Sequence, residues 1–257
     1  MKIFIASVNL RKSGESIPLI VHKNRNFILK LSVVNGLFLV LLSVALLFIF
    51  PQKAKNMASG FKTPILYFEF IHTEKEVKLF FENGDPFISD MDRGNQLDFL
   101  FMLVYNSFLF FIIYYRLKLG AARKVIFLGI LPFFTLIFDF LENLQLLGLS
   151  SAFRKQGDMK PALEYLKIFT HLKWGSLTLL FAAFSFLFFD QYKKKSIPIL
   201  VLKWNGVFSF VLFLFIVFER SFFNELLGFM VAIEFLFLWI YLLFELKHSV
   251  PFESRGA

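Results

Sequence analysis

The sequence predicts an all-α fold: a polytopic transmembrane helical bundle of about six spans. Of its 257 residues, 57% are hydrophobic and 40 are Phe, and the mean hydropathy of +0.66 is too high for a soluble domain of this length. Six apolar runs reach the ~20 residues that a helix needs to cross a bilayer. The runs are apolar on every side, whereas barrel strands would alternate polar and apolar residues in segments of ~10.

The six predicted spans are, in chain order, residues 31–50, 98–115, 125–147, 168–189, 198–218 and 226–245. We expect the first span to remain as an anchor, because thirty residues precede it and no small-x-small cleavage site follows cleanly. The domain prediction is therefore a basic N-terminal segment at 1–30, one six-helix membrane domain at 31–247 and a tail at 248–257.

Basic residues in the connections predict the orientation. Residues 1–30 carry six Lys or Arg, and the connections at 116–124 and 193–195 carry four and three more. Such residues accumulate on the cytoplasmic side. We therefore expect both termini in the cytoplasm and residues 51–97, 149–167 and 219–225 outside, although the 51–97 loop carries six basic residues of its own.

The outer loop at 51–97 is the one connection long enough to hold structure. Thr73 and Glu76 have the spacing of a capping box, and Asn83-Gly84 supplies a stop, which predicts a short helix at 74–82. One face of this helix is apolar. We expect it to lie on the bundle or in the headgroup layer. The apolar residues are Val77, Phe80 and Phe81.

The third span carries polar residues where solvation is poor. Thr135, Asp139, Glu142, Asn143 and Leu146 follow spacings of three and four, which places them on one helical stripe. At 1.5 Å per residue, Asp139 lies ~12 Å from the outer end of the span. We expect the stripe to face the bundle rather than lipid.

Other spans bring polar residues to the same half of the membrane. An ionised side chain near a helix centre costs ~2.5 to 3.5 kcal/mol on insertion scales unless it is paired, hydrated or neutralised. Lys173 is the one basic residue well inside a span at this depth, so we predict that it pairs with Asp139 or Glu142. The predicted ligand-binding set is Asp98, Tyr105, Asn106, Asp139, Glu142, Asn143, Thr170, Lys173, Trp174 and Glu234.

Several site classes find no support. Without Cys the chain has no disulfide or thiolate site. Glu69-x-x-His72 and Glu245-x-x-His248 each resemble half of a di-iron motif, but the predicted topology puts them on opposite sides of the membrane, so we expect no metal site. Nucleophile-elbow, phosphate-loop and dinucleotide motifs are missing, and no cofactor is expected. The net charge of +9 follows from the basic connections, so nucleic acid is not expected as a partner.

Four stretches carry a resemblance. "PILYFEFIHTEKEV", "LDFLFMLVY", "FDFLENLQLL" and "LKWGSL" resemble, in that order, an uncharacterised family of small polytopic bacterial inner-membrane proteins. The resemblance covers about residues 64–190, and its D-x-x-E-N element corresponds to Asp139, Glu142 and Asn143. It implies a multi-pass location in the bacterial cytoplasmic membrane and supplies no activity.

The polar stripes support four hypotheses about function. The first is a binding protein whose outward-facing intramembrane pocket holds a small amphiphile or a lipid headgroup. The second is a membrane enzyme for a lipid-like substrate, with Asp139 and Glu142 as candidates for acid-base catalysis. The third, a proton-coupled carrier, fits six spans without repeats poorly. The fourth is a structural or assembly subunit in which the polar groups only join helices.

Overall fold

The structure is a computed structural model that describes residues 17–118, 128–189 and 196–249. These residues form eight helices and no strand, and six of the helices are long and apolar enough to cross a membrane. The prediction of an all-α bundle with about six spans is confirmed. The helices are α1 (Ile17–Ile49), α2 (Pro64–Glu69), α3 (Glu74–Phe81), α4 (Asp85–Lys118), α5 (Ile130–Arg154), α6 (Lys160–Phe189), α7 (Ile197–Phe218) and α8 (Phe222–Ser249).

The long helices extend past the predicted spans. The second span, predicted from residue 98, begins at Asp85, and the fourth, predicted from 168, begins at Lys160. Hydropathy detects the part of a helix that crosses hydrocarbon, whereas backbone hydrogen bonding continues through the polar turns outside it. The predicted start of the third span, at 125, lies outside the described residues.

The predicted loop at 51–97 contains more structure than one short helix. The helix predicted at 74–82 is present as α3, and its capping box between Thr73 and Glu76 is confirmed. The prediction omitted α2 and the first turns of α4, and it was wrong there. α2 has only six residues, too few for helical periodicity to be visible in the sequence.

The six long helices form a closed ring in chain order. α1 packs on α4, α4 on α5, α5 on α6, α6 on α7 and α7 on α8, and α8 returns to α1. At the α6–α7 contact, a side chain at Gly206 would collide with the carbonyl of Phe181, so glycine permits the close approach. Ser185 Oγ donates a hydrogen bond across this contact to the carbonyl of Leu202, at 2.9 Å.

Residues 63–82, which we call the cap, cover one end of the ring. α2 contacts α5, α6 and α8, and α3 contacts α4 and α5. Arg220, between α7 and α8, donates hydrogen bonds to the Phe70 carbonyl at 2.5 Å and to Glu76 Oε1 at 2.8 Å. Glu225 on α8 accepts from the backbone N–H of Lys62 and of Thr63, each at 2.8 Å. The cap is therefore attached to the bundle by polar contacts as well as by its apolar face.

Candidate functional site

Lys173 on α6 is surrounded by carboxyl groups from three other elements. Its Nζ lies 3.1 Å from Glu69 Oε1 and 3.5 Å from Asp139 Oδ1, and it also contacts Glu142 Oε2. The predicted pairing of Lys173 with Asp139 or Glu142 is confirmed, because it contacts both. With Asp98, which is described next, we call these five residues the Lys173 cluster.

Neutral hydrogen-bond donors contact two of the carboxyl groups. Tyr105 on α4 donates its hydroxyl hydrogen to Asp139 Oδ2, at 2.5 Å. Asn143 on α5 donates from Nδ2 to Asp98 Oδ2, at 2.6 Å, which joins the α4 carboxyl to the α5 stripe. The cluster thus combines one ammonium, four carboxyl groups and several uncharged donors in a region that the helices shield from lipid.

The α2 helix contributes Glu69, which the sequence analysis did not include in the site. Its Oε2 accepts a hydrogen bond from Trp174 Nε1 at 2.9 Å, and its backbone carbonyl accepts from Thr170 Oγ1 at 3.1 Å. Burial raises the pKa of the Glu69 carboxyl, although the Lys173 ammonium and the Trp174 N–H oppose the shift. The signal in the sequence was an acid inside the apolar run "PILYFEFI", preceded by a proline suited to a helix start.

The stripe predicted on α5 faces the bundle interior. Thr135, Asp139, Glu142, Asn143 and Leu146 are all buried, and Glu142 is fully so at 0% exposure. Thr135 Oγ1 lies 2.8 Å from Ser176 Oγ on α6, so the stripe also joins these two helices by neutral hydrogen bonding. A helical stripe with this composition is stable in a membrane because every charged member faces protein.

A cavity of about 820 Å³ adjoins the cluster. Its walls come mainly from the apolar faces of α1 and α8, and α2 and the residues before it form another side. The polar end of the cavity is formed by members of the cluster and their neighbours. These are Glu69, Asp98, Tyr105, Asp139, Lys173 and Trp174.

Of the predicted site residues, Glu234 lies apart from the cluster, and Asn106 is connected to it only through its neighbour Tyr105. Glu234 on α8 is fully buried, and its Oε2 accepts a hydrogen bond at 2.7 Å from Asn205 Nδ2 on α7. Asn205 also donates to the Met230 carbonyl, and we call Glu234 with Asn205 the Glu234 site. Asn106 donates within α4 to the Met102 carbonyl at 2.8 Å. Within the described ranges, Glu234 forms no ion pair with Lys173, and neither Glu234 nor Asn106 lines the cavity.

The arrangement of the cluster suits an organic polar group better than a metal ion. In the part of the chain that the structure describes, no group of three or more His, Asp or Glu side chains has the geometry of a metal site. Lys173 occupies the position between the carboxyl groups. The carboxyl, hydroxyl, amide and indole groups at the polar end of the cavity can accept or donate hydrogen bonds to a bound molecule and can exchange protons with it.

Comparison of the chain with family models, curated proteins and solved structures gives no match.

Proposed function

We propose that this integral membrane protein binds a small amphiphile or a lipid headgroup in the cavity beside Lys173. The observation that carries the proposal is the composition of the cavity: apolar walls along two spans and the charged groups of the Lys173 cluster, with Lys62 and Glu225 as further charged residues in the lining. An amphiphile has the same two parts. Ligand cavities are commonly apolar with a few convergent polar groups, and the volume of about 820 Å³ lies within their usual range of roughly 300–1,000 Å³.

The walls give an alkyl chain a route to the bilayer. Leu47 on α1 and Phe229 on α8 line the cavity and are 61% and 60% exposed on the surface of the bundle. Since both residues lie in helices that are apolar enough to span a membrane, their exposed faces meet lipid. An acyl or alkyl chain between α1 and α8 would remain in an apolar environment along its whole length.

The polar end supplies groups for a head. Asp98 and Asp139 line the cavity with Tyr105 and Trp174, so a headgroup there meets carboxyl oxygens, a phenol and an indole. A headgroup buried without such partners would lose its hydrogen bonds to water, which is costly in a low-dielectric region. The cluster therefore makes the deep position of a polar head energetically acceptable.

We extend the proposal to the location that the sequence predicts. The protein is a multi-pass protein of the bacterial cytoplasmic membrane, both termini are in the cytoplasm, and the cap faces outward. The basic connections and the resemblance to bacterial inner-membrane proteins support this assignment. The cavity then takes its ligand from the outer leaflet.

Native mass spectrometry of the detergent-solubilised full-length protein tests the proposal. We expect a retained amphiphile in wild type and its loss in Val44→Phe/Ala232→Phe, which places two rings in the cavity from α1 and α8. The matched control is Ala45→Phe/Leu243→Phe, which adds bulk to the same helices away from the cavity lining and should keep the ligand. Equal retention in both variants, or no retained molecule in wild type, would support the structural-subunit hypothesis instead.

Catalysis would use the same cavity. The Tyr105 hydroxyl and the Asp139 carboxyl, 2.5 Å apart at its polar end, have the arrangement of an acid-base pair. If the retained amphiphile is converted by wild-type protein and not by Asp139→Asn, the binding proposal extends to an enzyme.

A further inference from the structure

The Lys173 cluster carries more acid than base. It contains four carboxyl groups and one ammonium, which leaves a formal charge of −3 when all are ionised. Unbalanced charge in a poorly solvated region is unfavourable, and it is relieved by protons or by a cation. In the described ranges, Lys173 is the one Lys or Arg that forms an ion pair with any of these four residues, and its partners are Glu69, Asp139 and Glu142.

The carboxyl groups differ in whether they contact the Lys173 ammonium. Glu69 and Glu142 contact the ammonium directly, whereas Asp98 forms no ion pair with any described Lys or Arg and has Asn143 as its hydrogen-bond partner. Asp98 lines the cavity and is partly exposed there. The negative charge that lacks a balancing cation therefore lies at the polar end of the cavity.

Asp139 brings a second carboxyl group to the same cavity. Its side chain lines the cavity, the residue is 3% exposed, and its Oδ2 is bonded to Tyr105. Its Oδ1 is buried and is ion-paired with Lys173 Nζ at 3.5 Å, and it accepts no hydrogen bond in the described part of the chain. Buried polar atoms are normally hydrogen-bonded, so this oxygen has capacity for a further donor.

Aromatic rings complete the surroundings of these two carboxyl groups. Phe101, Tyr105, Trp174 and Phe235 line the same cavity. An alkylammonium group is attracted to aromatic faces and to carboxylates together, as in sites that hold quaternary ammonium groups. An anionic head at this position would instead meet Glu69, Asp98 and Asp139, and the Lys173 ammonium is already in contact with acidic groups.

We propose that the amphiphile carries a positively charged amine, primary or quaternary, held beside Asp98 and Asp139, with its alkyl chain directed between α1 and α8. This inference rests on the proposed amphiphile-binding function and narrows the class of ligand. The two sources of such an amine are a cationic amphiphile and the choline or ethanolamine end of a zwitterionic lipid, and the shared chemistry is the ammonium group.

Quenching of Trp174 fluorescence by brominated amphiphiles tests the inference. Trp204→Phe/Trp239→Phe leaves Trp174, which lines the cavity, as the single tryptophan. Four probes share one bromoalkyl chain and differ in the head: trimethylammonium, phosphocholine, phosphate and maltoside. We expect the trimethylammonium probe to reach half-maximal quenching at a concentration at least tenfold lower than the phosphate and maltoside probes, because only its head adds positive charge to the cluster.

The phosphocholine probe separates the two sources of the amine. A half-maximal concentration as low as that of the trimethylammonium probe indicates a zwitterionic lipid, and a higher one indicates a cationic amphiphile. Asp98→Asn should remove most of the preference for ammonium over maltoside, whereas Glu234→Gln, which changes a buried acid outside the cluster, should keep it. If Asp98→Asn does not fold, the comparison of heads on the single-tryptophan protein decides the question alone.

The outcomes separate this inference from the function on which it rests. Equal half-maximal concentrations for all four heads, or a preference for phosphate, would overturn the ammonium assignment while leaving amphiphile binding intact. No quenching of Trp174 by any head, or equal quenching after Val44→Phe/Ala232→Phe is added, would remove the binding proposal itself.

Discussion

Two buried acidic sites in the same bundle differ in what surrounds them. At the Glu234 site, one carboxyl group between α7 and α8 meets one amide, and it does not line the cavity. At the Lys173 cluster, four carboxyl groups from α2, α4 and α5 surround one ammonium from α6, and three of these carboxyl groups line the cavity. Glu142 and Glu234 are equally buried, at 0% exposure. Burial of an acid therefore does not distinguish a contact between helices from a candidate binding site.

The distinguishing properties are unequal charge and open volume. The hydrogen bond from Asn205 to Glu234 Oε2 holds α7 and α8 together. The Lys173 cluster has an excess of acid directly beside space that a molecule can enter. This difference makes three predictions, ordered from the largest expected effect to the smallest.

Lys173→Met should have the largest effect on stability. It removes the one ammonium among four carboxyl groups, and breaking a buried ion pair by deleting one partner typically costs about 3–5 kcal/mol. We expect a large fall in the thermal unfolding midpoint in mild detergent. Lys247→Met, at an exposed position near the end of α8, is the control and should change the midpoint little. A Lys173→Met protein as stable as wild type would show that the carboxyl groups do not depend on this ammonium.

Asn205→Leu should have a smaller effect and should leave the cavity unchanged. It removes the hydrogen bond to the buried Glu234 carboxyl, and an unsatisfied buried polar group costs about 1–3 kcal/mol. Amphiphile retention in the native mass spectrum should equal that of wild type, because neither residue lines the cavity.

A double variant sharpens the same test. Asn205→Leu/Glu234→Leu replaces both partners with apolar groups, which is often nearly neutral, so it should recover much of the stability that Asn205→Leu loses. Loss of amphiphile in the double variant, with the fold intact, would contradict the distinction between the two sites.

The smallest effect should come from a change of pH. It should act on the Lys173 cluster and not on the Glu234 site, because only the cluster includes a residue of the cap, Glu69. Burial and the nearby cations Arg220 and Lys167 lower the pKa of His72 to about 4, although Glu76 opposes the shift; His171 also lies close. With an unfolded value near 6.5, a detached cap binds more protons than a docked one between pH 6.5 and about 4. The contribution of His72 to the attachment of the cap is therefore fully present above pH 6.5, and it is lost as the pH falls from 6.5 to about 4.

Hydrogen exchange of residues 63–82 measures this effect. After correction for intrinsic rates, protection at about pH 5 should be several-fold lower than at about pH 7.5, and His72→Gln should remove most of the difference. Burial alone would raise the pKa of Glu76, but hydrogen bonds from Arg220 and from the His72 backbone lower it below the usual value. The contribution of Glu76 to the attachment of the cap is therefore lost at a lower pH than that of His72. Amides around Asn205 and Glu234 are the internal control, and an equal pH response there would contradict the assignment to His72.

The sequence was sufficient for the class of fold and for much of the cluster. Hydropathy predicted six spans because a lipid-exposed backbone must satisfy its own hydrogen bonds, a requirement that leaves a clear compositional signature. Helical periodicity placed Asp139, Glu142 and Asn143 on one inward face. The energetic cost of an unpaired charge in the membrane predicted the pairing of Lys173 with the acids of this stripe. These inferences concern single helices and the cost of isolated charges, which local sequence carries.

Tertiary structure decided which of the buried polar residues meet. Glu69 joined the cluster because α2 folds back onto α5, α6 and α8. A six-residue helix is too short to show helical periodicity, so the sequence did not indicate that Glu69 faces the bundle. Glu234 was separated from the cluster because α8 turns this residue toward Asn205 on α7, while its neighbour Phe235 lines the cavity. The depth of a residue follows from its place along one helix, but its partners follow from the rotation and packing order of all the helices around it.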